Sequence, residues 1–445
     1  MNEQVEPIRV AIACQGGGSH TAFTAGVLSR LLQPDVMADH KIVALSGTSG
    51  GAICALLAWS AIVDGEPEKA ESLLHGFWSD NSASTLPERM LNWWVLWAGQ
   101  MANYVATPAV SPYVNPASVL ALDHLRSLLE RWVDFDRLNQ SDTDSFAPER
   151  PLLVLGAVDV MSGVFKAFDS RRGEITADAV LASAAIPNLF RSVPVDGGLY
   201  WDGLFSQNPP VRDLLDARPD EIWVVQINSR DRSTEPRTVA EIADRRNELA
   251  GNLSLYQELH FIEKIDQLLE EGELVGNRYR QVAVRIIEKA RSEKSRMLGA
   301  TSKMNRDPAF LNGLIADGAA TAGDFATALA FEAAWRGGDP DAVWAFFADD
   351  CKISSEDPFP AISLSMQPDT SRRFVIERLA GEIEIDMTRR QFASDQYLWR
   401  VGFTGQPDGA RRRGQAGARF QNGKITHLTL GPTDADGAID RRIVL

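Results

Sequence analysis

A serine set among small residues, Gly47-Thr48-Ser49-Gly50-Gly51, stands between a short apolar run and a long apolar stretch of helical spacing. Small neighbours permit the sharp strand-to-helix turn that exposes a serine oxygen, so the pattern reads as a nucleophile elbow with Gly47 and Gly51 as its flanks. Upstream lies a second glycine cluster, Gly16-Gly17-Gly18, again between an apolar strand pattern and a helix pattern. Backbone N–H groups of such a loop can hold the negative oxygen that forms when an acyl carbonyl is attacked. Strained serine and glycine loop together are the minimum equipment for acyl transfer.

A free hydroxyl is a poor nucleophile, so Ser49 needs a base. The α/β-hydrolase order would supply an acid and then a histidine downstream, on a sheet with several strands before the elbow. Only two strand patterns precede Ser49 here. His40, His75, His124, His260 and His427 lie in unrelated contexts without flanking turn signals, and each reads as a surface or satisfied core residue. The better candidate base is Asp202, in Tyr200-Trp201-Asp202-Gly203-Leu204-Phe205-Ser206-Gln207-Asn208-Pro209, an acid at a glycine turn fixed by an Asn-Pro break. Small residues from Ser183 to Pro187 precede it and suit close backbone approach. Asp196-Gly197-Gly198 repeats the letters without the following Asn-Pro and is read as a decoy.

The elements that must position these residues alternate between strand and helix through the first half of the chain, which implies an α/β layer fold with a largely parallel sheet. Residues 9–14, 42–45, 152–160, 164–169 and 221–228 read as strands. Residues 21–32, 50–63 and 118–132 read as helices, and 176–184 as a short helix stopped before Pro187. Residues 237–272 read as a long charged helix, followed by a strand at 281–287. Trp93, Trp94 and Trp97 lie on a helix-like background at 90–101. A core segment is the commoner meaning of that spacing and is the expectation; a lid or lipid-facing surface is the other.

Glycines and Pro308 punctuate residues 307–323, read as a change of composition. Beyond them come helices at 325–335 and 341–347, then strands at 382–388, 397–404, 413–421 and 424–430. Asn422-Gly423 is a hairpin signal between the last two. Helices followed by an antiparallel sheet describe a separate α+β domain. The expected division is a domain at 1–310, a linker at 311–322 and a second domain at 323–445.

These motifs resemble those of the patatin-like phospholipases, serine acyl hydrolases with a Ser–Asp dyad and no catalytic histidine. Gly16-Gly17-Gly18 with Gly26, the elbow at 47–51, and Asp202-Gly203 with Asn208-Pro209 occur in the family's order. The resemblance extends over residues 8–287 and includes Ser183 to Pro187 and Phe190. It implies a three-layer patatin-like fold with a central, mostly parallel sheet, in which Ser49 attacks an ester and Asp202 takes its proton. It also implies an oxyanion hole from Gly16, Gly17 and Gly18, a metal-independent reaction and no cofactor.

Two departures stand out. Leu204 occupies a position where the family has Gly or Ala, and Ser19-His20-Thr21 follows the triple glycine where a basic residue is common. His20 either supplies part of that charge or only packs. The C-terminal region, through Phe331-Glu332-Ala333-Ala334-Trp335-Arg336-Gly337-Gly338-Asp339, residues 346–350 and residues 420–430, resembles the SnoaL-like, nuclear-transport-factor-2-like domains. That resemblance implies an α+β cone with a binding or dimerisation role.

The expected function is hydrolysis of carboxylic esters of lipids, with a lipid ester met at a membrane or lipid-droplet surface as partner and a homodimer through the C-terminal domain. The alternative is a non-catalytic lipid-binding or scaffold protein that keeps the fold. A phosphate-loop reading of the first glycines fails, since G-x-G-x-x-G needs glycine where Thr21 stands and no Gly-Lys-Ser/Thr follows. The net charge of −15 argues against nucleic-acid and anionic-membrane affinity. The basic stretch at 278–306 is read as a solvated helix face, with contact to lipid head groups as the other reading. Three cysteines without metal-ligand spacing suit a reducing compartment. The polar start of the chain has no signal pattern, and no apolar run reaches a spanning length, so the expected location is cytoplasmic or peripheral to membranes.

Overall fold

The computed structural model describes residues 6–101, 110–140, 150–187, 189–228, 232, 234–275, 279–289, 300–356, 363–364, 381, 383–393, 396–403, 412–421 and 423–432. The chain divides into two compact units: residues 1–280 with 291–320, and residues 281–290 with 321–445.

The first unit is mixed α/β. Its strands are β1 (Ile8–Cys14), β2 (His40–Thr48), β3 (Leu152–Asp159), β4 (Phe165–Asp169), β5 (Val193–Val195), β6 (Gly198–Asp202) and β7 (Glu221–Gln226). They pair in the order β7-β1-β2-β3-β6-β5, with β4 also on β3. The pairs β7–β1, β1–β2 and β2–β3 are parallel, and β6, β5 and β4 run antiparallel at the β3 side. The short apolar runs of β1, β2 and β7 are almost entirely buried, as expected of parallel strands covered by helices.

Helix Gly50–Val63 packs on β2, and residues 50–61 are all buried. Its apolar residues run all round, the pattern of a helix inside a core rather than on its edge. Thr176 caps helix Ala177–Ala184 through Ala179 N–H, and Thr238 with Glu241 forms a capping box on helix Val239–Glu270.

The structure departs from expectation at the glycine-rich stretch read as a linker. Residues 308–337 form one continuous helix, Pro308–Gly337. A β-carbon on Gly318 would come within 2.1 Å of the Phe23 carbonyl, and one on Gly26 within 1.9 Å of the Ile315 carbonyl. This helix and helix Ala22–Leu31 therefore touch backbone to backbone, which only glycine permits. Gly313 is exposed with nothing near it. Gly318→Ala should lower the urea midpoint by an amount equivalent to about 1–3 kcal/mol, through overpacking. Gly313→Ala should raise it by roughly 0.5–1 kcal/mol, through reduced chain entropy. Equal shifts in both would mean the crossing does not depend on its glycine.

The second unit takes β8 (Ala283–Glu288) from outside the expected boundary of 323–445. It adds β9 (Phe347–Ser355), β10 (Ser363–Leu364), β11 (Ile383–Ala393), β12 (Gln396–Phe403), β13 (Arg412–Gln421) and β14 (Lys424–Gly431). Their order is β10-β9-β14-β13-β12-β11-β8. β11 to β14 form an antiparallel run, while β8 joins β11, and β9 joins β14, in parallel. Gln421 and Lys424 pair across the expected hairpin; Asn422 lies outside the described residues.

The attachment of β8 has a chemical cause. Arg285 forms a buried two-pronged ion pair with Glu332 (2.8 and 3.1 Å), and Trp399 Nε1 donates to the same carboxylate at 2.8 Å. Beside Glu332 in the chain, buried Phe331 packs against the rings of Trp335, Phe347 and Trp399. A buried arginine needs such a partner, so the strand that carries it is held to the unit that carries Glu332.

Candidate active site

Ser49 ends the β2 turn and precedes helix Gly50–Val63, with φ 58° and ψ −131°. A residue with a β-carbon rarely adopts that backbone, and it costs about 1–3 kcal/mol unless the surroundings enforce it. The enforcement is visible. Ser49 N–H is held by the Ser183 carbonyl and hydroxyl, both at 3.1 Å, and the Ser183 hydroxyl donates to the Gly156 carbonyl at 2.7 Å. The flanks leave no alternative path. A β-carbon on Gly47 would meet the Gly51 carbonyl at 2.4 Å, and one on Gly51 the Cys14 carbonyl at 2.3 Å.

Asp202 is fully buried at the end of β6. Thr48 lies opposite Gly156 and Asp202 opposite Ala157 on the shared neighbour β3. Asp202 and the end of β2 thus lie on either side of β3, and the Ser49 hydroxyl comes within reach of the Asp202 carboxyl. Burial drives the Asp202 carboxyl up to about 7, against opposing stabilisation of the charged form by the Ser49 hydroxyl and Leu204 N–H. Leu204 N–H donates to Oδ1 at 2.8 Å, while Oδ2 completes no hydrogen bond of regular geometry. Ser49 is thus close enough to favour the carboxylate without a closed bond to it. Loose contacts of this kind are common before substrate binds.

The glycine loop lies against the elbow, since a β-carbon on Gly16 would meet the Thr48 carbonyl at 2.5 Å and Ser49 Cβ at 2.9 Å. Its three N–H groups are not equivalent, contrary to the expectation that all serve an oxyanion. Gly16 N–H donates to Asn208 Oδ1 at 2.6 Å and is already engaged. The N–H groups of Gly17, Gly18 and Gly50 donate to no acceptor among the described residues. Gly50 begins a helix, whose end adds a favourable dipole for an anion.

A set of amides that sequence reasoning missed fixes this loop. Gln15 Oε1 accepts from Ile227 and Asn228 N–H at 2.9 and 2.8 Å, and Gln15 Nε2 donates to Asn252 at 3.0 Å. Asn228 Nδ2 donates to the Gly16 carbonyl at 3.2 Å. In the sequence Asn208 reads only as half of an Asn-Pro break. Its side chain ties the segment after Asp202 to the glycine loop, so base and donors share one frame. Nothing in the spacing of Gln15, Asn228 and Asn252 announces that they meet.

The other sequence candidates sort clearly. Asp196 and Gly197, both at positive φ, make the exposed two-residue turn between β5 and β6. Leu204 reaches toward helix Val239–Glu270 at Gly251, where a β-carbon would sit 3.3 Å from its Cδ1. His20 is buried, 2.8 Å from the Ser302 hydroxyl and beside Phe310. His40 is also buried, against the Val36 carbonyl and Trp223. Neither Ser49 nor Asp202 has a histidine partner among the described residues.

Residues 12–215 match the family model of the patatin-like phospholipases. No curated protein matches the chain. Similar solved structures include an uncharacterized cystatin-fold protein from Novosphingobium aromaticivorans, 16% identical, covering 24% of this chain and 96% of that one with a TM-score of 0.21. An NTF2-like protein from Burkholderia thailandensis is 23% identical over 24% of this chain and 88% of that one, TM-score 0.20. Another, from Cytophaga hutchinsonii, is 11% identical over 24% and 87%, TM-score 0.20.

Proposed function

We propose that the patatin-like phospholipase domain at residues 12–215 hydrolyses carboxylic esters of lipids through a dyad of Ser49 and Asp202. Ser49 Oγ attacks the ester carbonyl carbon while its proton passes to the open Oδ2 of Asp202. The carbonyl oxygen becomes an oxyanion held by the N–H groups of Gly17, Gly18 and Gly50. Collapse of that intermediate expels the alcohol, which takes the proton from Asp202 and leaves an acyl group on Ser49. Water then attacks the acyl-enzyme with Asp202 again as base, and the carboxylic acid departs.

One observation carries the reading: a backbone-strained serine lies within reach of a fully buried carboxyl with an open oxygen. The carboxyl, near 7, is matched to accepting and returning a proton at neutral pH. No helix among the described residues is long and apolar enough to cross a membrane.

The test is a fluorophosphonate probe on the full chain, with digestion and mass spectrometry to locate the adduct. The expected result is one phosphonylated residue, Ser49, together with turnover of p-nitrophenyl butyrate. Absence of both labelling and turnover in folded protein would favour a lipid-binding scaffold instead.

A further inference from the structure

Helix Leu86–Met101 is amphipathic in the reverse of the usual sense. Leu86, Met90, Trp93, Trp94 and Trp97 recur at i, i+4, i+7, i+8 and i+11, one face of a helix, and that face is outside. The three indoles are 64%, 58% and 45% exposed, which corrects the expectation of a core segment. The opposite face is the one that docks. Asn92 bonds to Asn305 at 3.1 Å and accepts from Arg306 N–H at 2.9 Å, and a β-carbon on Gly99 would meet Thr301 at 2.6 Å. A sequence that turns its amide inward and its tryptophans outward is built for apolar surroundings.

We propose that this stripe seats the protein on the surface of a neutral, zwitterionic phospholipid layer, an inference that takes the substrate to be lipid, as in the proposed function. Three observations select that partner. The residues are chiefly tryptophan, whose ring suits a boundary with an apolar and a wet side. The chain carries −15, which opposes an anionic surface. On this helix the stripe spans twelve residues, roughly 17 Å by 10 Å, below the ~800 Å² per partner of a standard protein interface.

The stripe also shares its footing with the candidate site. The segment at 300–306 that receives Asn92 and Gly99 touches the glycine loop, where Ser302 bonds to His20 and a β-carbon on Gly18 would meet the Lys303 carbonyl at 2.4 Å. Seating the helix on lipid thus sets the surface beside the machinery that would act on it.

The experiment compares the full chain with a Trp93→Gln, Trp94→Gln, Trp97→Gln variant in flotation with dioleoyl-phosphatidylcholine vesicles, alongside p-nitrophenyl butyrate turnover. The wild type should float with the vesicles, the variant at least tenfold less, and turnover of the soluble ester should agree within twofold. Vesicles with added phosphatidylglycerol should bind less wild type than pure phosphatidylcholine. Equal flotation of both proteins, or none, overturns the docking surface. So does a wild-type dimer in sedimentation velocity that the variant abolishes, since a second copy would then cover the stripe. Flotation without ester turnover sinks the dyad and keeps the surface; turnover without flotation does the reverse.

Discussion

Asp202→Asn should lower kcat/KM for a soluble ester by about 10²–10⁴-fold, the usual contribution of a general base. The amide keeps an acceptor for Leu204 N–H and nearly the same volume, so geometry survives while proton acceptance is lost. The wild-type pH profile carries the second half of the argument. Burial raises the carboxyl from 3.8 to about 7, and only the ionised form is a base. Below about 7, kcat/KM should rise tenfold per pH unit, and above it should level off. Stability runs the other way. A raised carboxyl pKa stabilises the fold at low pH, and that contribution fades as pH climbs from 3.8 through about 7. The midpoint of Asp202→Asn should therefore gain on the wild type across that window and hold its lead above it. Full activity in the variant, with a flat wild-type profile, would remove Asp202 from the chemistry.

What the sequence discloses depends on how many residue types a task allows. An elbow accepts only small residues around Ser49, and a glycine loop only glycine where a β-carbon would strike Thr48, so both stand out as letters. The Asp202 turn stands out for the same reason, its Gly203 lying where a β-carbon would meet the Gly156 carbonyl at 2.7 Å. Amide networks do not: Gln15, Asn228 and Asn252 are common surface residues until the fold buries them together. Glycine also misleads when its purpose is packing. Gly318 reads as linker and is a helix crossing, because backbone contact and chain flexibility call for the same residue. Trp93, Trp94 and Trp97 show the matching ambiguity of the apolar stripe, since periodicity reports a face and not what lies beyond it. The division into units was hidden for a different reason. β8 looks like one more strand of the first sheet, and only Glu332, remote in sequence, reveals where Arg285 must go.

Two substitutions at Ser49 separate its chemistry from its conformation. Ser49→Ala and Ser49→Gly both delete the nucleophile, and each should bring ester turnover to background; in serine proteases such deletions cost about 10⁶-fold in kcat. Their stabilities should differ. Alanine keeps a β-carbon at φ 58°, and so keeps the strain, whereas glycine adopts that backbone freely. Glycine also loses more chain entropy on folding, by roughly 0.5–1 kcal/mol, which offsets part of the relief. The net expectation is that Ser49→Gly unfolds at a higher urea concentration than Ser49→Ala, by the equivalent of about 1 kcal/mol, with both inactive. Such a pair would show the fold holding a costly turn for the sake of one hydroxyl, as strain retained at a working site implies. Equal midpoints would mean the Ser183 and Gly156 contacts absorb the strain completely, and a Ser49→Gly variant that still hydrolyses the ester would place the nucleophile elsewhere.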